Sequence, residues 1–336
     1  MVGTLRFARP TFLAVFLALI LGSAAGAQSA KIQVEARPIK SFHLSEPSRT
    51  RFGSLEFRGG LELTSTHRDF GGVSAIRVAA DGAHFVALTD KARWFTGRIV
   101  YDADRPAGIV EAVLAAMLGP DGRPLAARGW FDTESIAEDG GTLYVGIERV
   151  NRIVRFDFGR DGVRARGVPI PVPPGIATLP DNKGLEAMVV VPQGLPLAGT
   201  LIAISERGLD ARGNLKAFLI GGPNPGEFSI VRRDGFDVSD CALLPSGDLL
   251  LLERRYSPAH GIAMRIRRVA LGAIAPGAHV DGAELVSADM GYQIDNMEGL
   301  SVHRSAAGDV VLTLVSDDNF SPLQRTILLQ FKLVED

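Results

Sequence analysis

One pattern returns five times along this chain, and it restricts the fold more than any single motif does. The segments are "SAIRVAADGAHFVALTD" from Ser74, "ESIAEDGGTLYVGIER" from Glu134, "EAMVVVPQGLPLAGTLIAISER" from Glu186, "DCALLPSGDLLLLERR" from Asp240 and "EGLSVHRSAAGDVVLTLVSDD" from Glu298. Each opens on Ser or an acid, passes through a small and then an apolar residue, and turns on Gly, Pro or Asp. A second apolar run follows and ends in charge, at Asp90, Glu148-Arg149, Glu206-Arg207, Glu253-Arg254 and Asp317-Asp318. The openings lie 60, 52, 54 and 58 residues apart. Self-similarity on this scale marks a repeat architecture, in which each unit buries its apolar face only against its neighbours.

Every unit also supplies a third strand-like run: "WFTGRIVYD", "RIVRFDFG", "LKAFLIGG", "MRIRRVAL" and "TILLQFKLV". Four units add a fourth, "IVEAVLAAML", "VRARGVPIPV", "EFSIVRRDGF" and "AELVSADMG", whereas the last unit runs out of chain. "SLEFRGGLELTS" at 54–65 stands just before the first unit, where it can complete the last one and close a ring. Four-stranded units around a central channel make a β-propeller. The expectation is therefore an all-β propeller of five blades, closed by an N-terminal strand. A sixth blade would have to be built from "AKIQVEARPIKSFHLSE", and five is favoured.

The ends of the chain set the remaining boundaries. Arg6 and Arg9 precede "TFLAVFLALILGSAAGA", which closes on the small residues Ala25-Gly26-Ala27. A charged, then apolar, then small-residue order is that of a secretory signal, with cleavage expected after Ala27 and a periplasmic or secreted location. Residues 28–53 then form an N-terminal extension, and 54–336 the propeller. No later run is long and apolar enough to span a bilayer. Losing residues 1–27 removes two cations and no acid, so the formal net charge moves from −2 to −4. Such a balance offers no attraction to nucleic acid. Cys241 is the single cysteine, so an intrachain disulfide and a multi-thiolate zinc site are both excluded. A monomer is expected.

In a propeller blade the first strand lines the channel and the second returns beside it, so the start of one and the end of the other share a rim. Ser74, Glu134, Glu186, Asp240 and Glu298 would ring one mouth, with Asp90, Glu148, Glu206, Glu253 and Asp317 just outside and Arg149, Arg207 and Arg254 between them. Converging carboxylates repel one another unless cations neutralise them. Arginine and lysine can do so as a structural collar, and hard divalent cations can do so as ligands of the carboxylate oxygens. Other chemistries find less support. "GGVSAI" has Ile76 where a nucleophile elbow needs its second glycine, and the six histidines show no zinc-ligand spacing. No phosphate-binding loop or dinucleotide fingerprint occurs, so no organic cofactor is expected.

"GGVSAIRVAADGAHFVALTDKARW", "NKGLEAM", "ISERG", "LLLLERRYSP", "DNMEGLSV" and "VSDDNFSPLQRTILLQF" together resemble the bacterial phytase-like, or "esterase-like activity of phytase", propeller family, over roughly 70–333. The resemblance implies an exported hydrolase of phosphate or carboxylic esters. It supplies no agreed catalytic set. The wider propeller phytases bind calcium through acids and phosphate through Lys and Arg, and a mouth of this composition suits such a site. Glu186 and Glu298 are thus the catalytic candidates. Glu134, Glu186, Asp240, Glu298 and Asp317 are the candidate ligands of a divalent cation, calcium among them. Arg149, Lys183, Arg207 and Arg254 are the candidates for holding a small anionic ester or phosphate. Two rival readings are a non-catalytic periplasmic propeller that binds a ligand or protein, and a carbohydrate- or lactone-directed enzyme with one metal on the same rim.

Overall fold

The computed structural model describes residues 29–334, so the expected signal segment 1–27 lies outside the described residues. The chain folds into five blades. Their inner strands, Val73–Val78, Thr133–Asp139, Leu185–Val190, Asp237–Leu243 and Asn296–Arg304, neighbour one another in that order and then return to the first. Each pairs antiparallel with the next strand outward, Val73–Val78 with His84–Thr89 for example. The third strands follow as Arg93–Asp102, Arg152–Asp157, Leu215–Ile220, Gly261–Val269 and Thr326–Leu333.

The fifth blade takes its outer strand, Leu55–Thr64, from the start of the propeller and pairs it antiparallel with Thr326–Leu333. Closure is therefore made by main-chain hydrogen bonds between the two ends of the domain. The segment that a sixth blade would have needed builds no blade. Glu35–Ile39 adds to the outside of Leu55–Thr64, and Ala30–Lys31 adds to Arg105–Ala116 of the first blade. These few residues thus clasp the last blade to the first from outside.

"IVEAVLAAML" has the composition of a helix, but all of it except Met117 and Leu118 lies within the strand Arg105–Ala116. Its neighbours decide the matter, since Arg93–Asp102 offers a full ladder of partners and the helical alternative offers none. "VRARGVPIPV" departs from expectation in the other direction. Only Val168–Pro169 pairs with the second blade, and Gly162–Arg164 forms a turn of 3₁₀ helix. Prolines at 169, 171, 173 and 174 cannot donate to a ladder, so the outer strand stops almost where it starts.

Five apolar clusters fill the wedges between adjacent blades. The wedge between the fourth and fifth blades is the aromatic one. Phe42 is fully buried there, with its ring 5.0 Å from Phe52 and 4.9 Å from Phe331. Wedge packing buries both faces of a strand, which is why runs such as "LLLL" at 249–252 are apolar without alternation. Among the described residues no helix is long and apolar enough to cross a membrane.

Candidate functional site

Every inner strand carries a bulge at the same rim. The pairing skips Ser74, Glu134, Glu186, Ser239 and Glu298, one residue per blade. A bulge leaves its extra residue unpaired and re-aims the side chain. In the second, third and fifth blades that residue is a glutamate turned into the mouth. In the first and fourth it is a serine bonded to the next blade: Ser74 Oγ donates to the Thr133 carbonyl at 2.6 Å and Ser239 Oγ to that of Met297 at 3.0 Å.

The end of the second strand gives the outer ring. Asp90, Glu148 and Glu206 donate their backbone N–H to Gly72, Asp132 and Gly184, while Arg254 pairs with Asp237 and Asp317 with Asn296. The equivalent positions are therefore Asp90, Glu148, Glu206, Arg254 and Asp317. Four are acids, and the fourth blade places an arginine among them.

The three bulge glutamates and the outer ring line a cavity of about 770 Å³ together with Asp132, Lys183 and Asn296. Eight carboxylates face it (Asp90, Asp132, Glu134, Glu148, Glu186, Glu206, Glu298 and Asp317) against two cations, Lys183 and Arg254. Lys183 Nζ lies 2.6 Å from Glu206. Arg254 spans the cavity, 3.2 Å from Glu206 and 3.4 Å from Glu298, and donates to Asn296 Oδ1 at 3.0 Å. Asn296 in turn donates to Glu298 at 2.7 Å. Glu148 accepts from the Gly184 N–H at 2.7 Å. One oxygen each from Glu148, Glu186 and Glu206 falls within 4.8 Å of the others, a spacing that could hold a metal ion.

Two cations cannot offset so many acids, and most of the carboxyls hold their protons more tightly than usual. Burial, with Asp317 next, raises Asp90 to about 8, and burial, with Glu298 next, raises Asp317 to about 8. Burial lifts Glu148 to about 7 against the Gly184 N–H, and lifts Glu298 to about 7 against Arg254. Glu134 and Glu186 are driven well above the usual range by burial and then by their acidic neighbours. For Arg254 burial acts downward, yet Glu298, Glu186 and Glu206 together raise it. A buried carboxylate without a partner is costly, and perturbed acids gathered in one concavity are the physical mark of a functional site.

Five of the expected residues besides Arg254 and Lys183 are thus gathered or bypassed as follows. Glu134, Glu186, Glu298 and Asp317 line the cavity, whereas Asp240 does not. Asp240 comes one residue after the bulge, so the pleat turns it down into the channel. There Arg77 meets it through both guanidinium nitrogens at 2.8 and 3.1 Å, and the N–H groups of Leu300 and Cys241 add 2.8 and 2.7 Å contacts. Burial still leaves its pKa raised, with Arg77 opposing the rise. Arg77 also donates to the carbonyls of Ile76, Met188, Cys241 and Leu300, strands of four blades, and so stoppers the channel beneath the cavity.

Arg149 and Arg207 also lie outside the main cavity. Arg149 pairs with Asp132 at 3.5 Å and stacks on Phe131, and Arg207 pairs with Asp237. Glu253 is buried between Arg265 and Arg267. Asp90, Glu148 and Glu206 belong to the cavity although the functional assignment from sequence had centred on the inner ring. Ser229, His279 and Asp210 also meet, at the outer edge of the third blade. Ser229 Oγ and Asp210 both approach Nδ1 of the same ring, at 2.6 and 3.8 Å, and Ser229 is buried. A serine nucleophile needs the two partners on opposite nitrogens, so this trio lacks the relay.

The family described as "Phytase-like: Esterase-like activity of phytase" matches residues 68–320. No curated protein matches the sequence significantly. Among solved structures, the alpha-L-arabinofuranosidase PaAbf62A from Podospora anserina, in complex with cellotriose, is 13% identical with a TM-score of 0.50, over 83% of this chain and 97% of that one. The PQQ-bound aldose sugar dehydrogenase from Streptomyces coelicolor is 14% identical with a TM-score of 0.40, over 91% and 98%. YCF48 bound to D1 peptide is 10% identical with a TM-score of 0.36; the match covers 79% of this chain and 66% of that one. At 13% identity the likeness to the arabinofuranosidase speaks to fold alone.

Proposed function

The chain belongs to the phytase-like family, and from that premise we propose that it hydrolyses phosphate or carboxylic esters at the propeller mouth with a bound divalent cation. The observation that carries the reading is the gathering of eight carboxylates around two cations in one cavity. The donor set suits the cation: it is all carboxylate and amide oxygen, the ligand type of calcium and magnesium. Asp90 Oδ1, moreover, is buried with no hydrogen-bond partner among the described residues. Glu148, Glu186 and Glu206 would hold the ion. When bound, such an ion polarises the ester oxygen and makes a bound water more acidic.

The remaining roles fall to the chain's own side chains. Lys183 and Arg254 flank the trio and supply positive charge to an anionic head group and to the charge that grows on it in the transition state. Glu298, raised to about 7 and oriented by Asn296, sits in the range where a carboxylate can take a proton at neutral pH. We assign it as general base and Glu186 as ligand. The charged, apolar and small-residue order of 1–27 supports a periplasmic or secreted setting.

Assays of aryl phosphates and aryl acetates with calcium, with chelator, and with Glu298→Gln and Glu186→Gln test the assignment. Turnover should require the cation. Glu298→Gln should cut kcat by about 10²-fold or more while calcium still stabilises the protein, and Glu186→Gln should lose that stabilisation. Turnover indifferent to chelator and to both substitutions would overturn the proposal. Calcium binding without turnover of any ester would leave a non-catalytic binding propeller.

A further inference from the structure

The acids share the cavity with a few apolar side chains. Tyr256, Ile262 and Leu323 line the same space as the carboxylates. Among the exposed large hydrophobic residues of the described chain, Leu323 at 92% and Tyr256 at 74% are the two most exposed, and both stand at this mouth. Tyr256 and Ile262 are directly opposed across the second and third strands of the fourth blade, so they present one continuous surface. Leu323 comes from the loop joining Val310–Asp317 to Thr326–Leu333 of the fifth blade.

That loop is braced rather than slack. Asp318 accepts from the Gly72 N–H at 2.9 Å and from Thr326 Oγ1 at 3.0 Å, which ties the loop to the first blade. Lys91 lies 3.2 Å from the centre of the Phe320 ring, and Asp295 holds the far end through the Arg325 N–H at 3.1 Å. Asn319 and Phe320 both adopt the left-handed region, with φ of 48° and 51°. Asn tolerates such backbone, but for Phe320 it is unfavourable and persists because surrounding contacts enforce it. The fold thus spends local strain to hold a loop that points a leucine at solvent beside a polar cavity.

We propose that Tyr256, Ile262 and Leu323 form a specificity subsite for the apolar body of an amphiphilic ester, a ring or short hydrocarbon carried on one tetrahedral or planar ester head. The inference rests on the ester-hydrolase reading of the adjoining cavity. A head group placed between Lys183, Arg254 and the Glu148–Glu186–Glu206 trio leaves the rest of the molecule lying across these three side chains, which line the same cavity. Binding sites combine a few placed polar groups with apolar walls, and here both line one cavity. The selected substrates are small esters with a hydrophobic substituent, in preference to wholly ionic ones.

Two non-hydrolysable probes with the same tetrahedral head, naphthylmethyl phosphonate and methyl phosphonate, test this by calorimetric titration of the calcium-loaded protein. The naphthyl compound should bind at least about tenfold more tightly, the scale of a well-filled apolar pocket. Leu323→Ala and Tyr256→Ala should each erase most of that advantage while leaving methyl phosphonate binding and calcium stabilisation as they were. Equal binding of the two probes, or an advantage that survives both substitutions, overturns the subsite alone. Failure of both probes to bind overturns the ester reading and the subsite with it.

Discussion

The two levels of the central channel bury charge in opposite ways. In the throat, Asp240 has four donors supplied by the chain itself, two from Arg77 and two from the backbone. At the mouth, Glu186 is buried and Glu134 half-buried, and the charges that act on them are mostly other acids. A buried ion pair with its hydrogen bonds filled is a structural device that needs nothing from outside. Acids left to repel one another across 770 Å³ of open space are not. The contrast separates a carboxylate that belongs to the scaffold from carboxylates that could hold a cation, although the sequence repeat aligns them and only the pairing sets them one residue apart.

The largest effect should come from breaking the throat. Arg77→Ala leaves Asp240 buried without its cation and should cost about 3–5 kcal/mol in urea unfolding. Arg77→Met with Asp240→Leu should recover much of that loss. If Arg77→Ala is neutral, the stopper is not structural. The mouth should answer with the opposite sign. Glu186→Gln should leave the metal-free protein as stable or more so, because it removes charge from a crowded site. It should also abolish the calcium gain, which for the parent protein is about 2.7 kcal/mol at a hundredfold excess over Kd.

The pH dependence follows from the same raised carboxyls. Asp90 and Asp317 titrate near 8 and Glu148 and Glu298 near 7 in the folded protein, against about 4 when unfolded. Over that interval the native state binds more protons than the unfolded chain, so metal-free stability should fall as pH rises from about 4 to 8. Calcium bound at the proposed site would displace those protons, so its stabilisation should grow over the same range. Melting temperatures measured from pH 5 to 8 with calcium and with chelator check both signs, and parallel curves would count against a carboxylate metal site.

Smaller effects sharpen the boundary of the site. Arg254→Gln deprives Glu206 and Glu298 of a cation and should cost about 1–3 kcal/mol at pH 8, less at pH 5 where Glu298 is protonated. Arg149→Ala removes a half-exposed partner of Asp132 at the rim and should change ester turnover by no more than about twofold. A larger loss would draw Arg149 back into substrate binding.

Blade number and closure were legible because they depend on apolar pattern and spacing, which the repeat carries openly. "SLEFRGGLELTS" could be assigned to the last blade because that blade lacked a strand and no other did. The register of the fourth blade was not legible. Its Glu253-Arg254 matches the Glu148-Arg149 and Glu206-Arg207 endings by eye, yet pairing sets Arg254 level with Glu148 and Glu206. The one signal available was Arg265 and Arg267, alternating on one face of the third strand and needing an acid, which Glu253 supplies. Arg77 gave no warning at all, since "AIRVA" reads as an ordinary strand with one polar residue.

What the sequence alone determined is the ring: which segments pair, how many blades form, and which end of the strands gathers the charge. Strand patterning is local, so it survives in the order of residues. What only the tertiary structure decided is which acids share the cavity. A bulge moves one side chain from the throat to the mouth without altering composition or period, and the partners that satisfy or abandon a carboxylate come from blades more than a hundred residues apart in the chain, as Arg77 and Asp240 do.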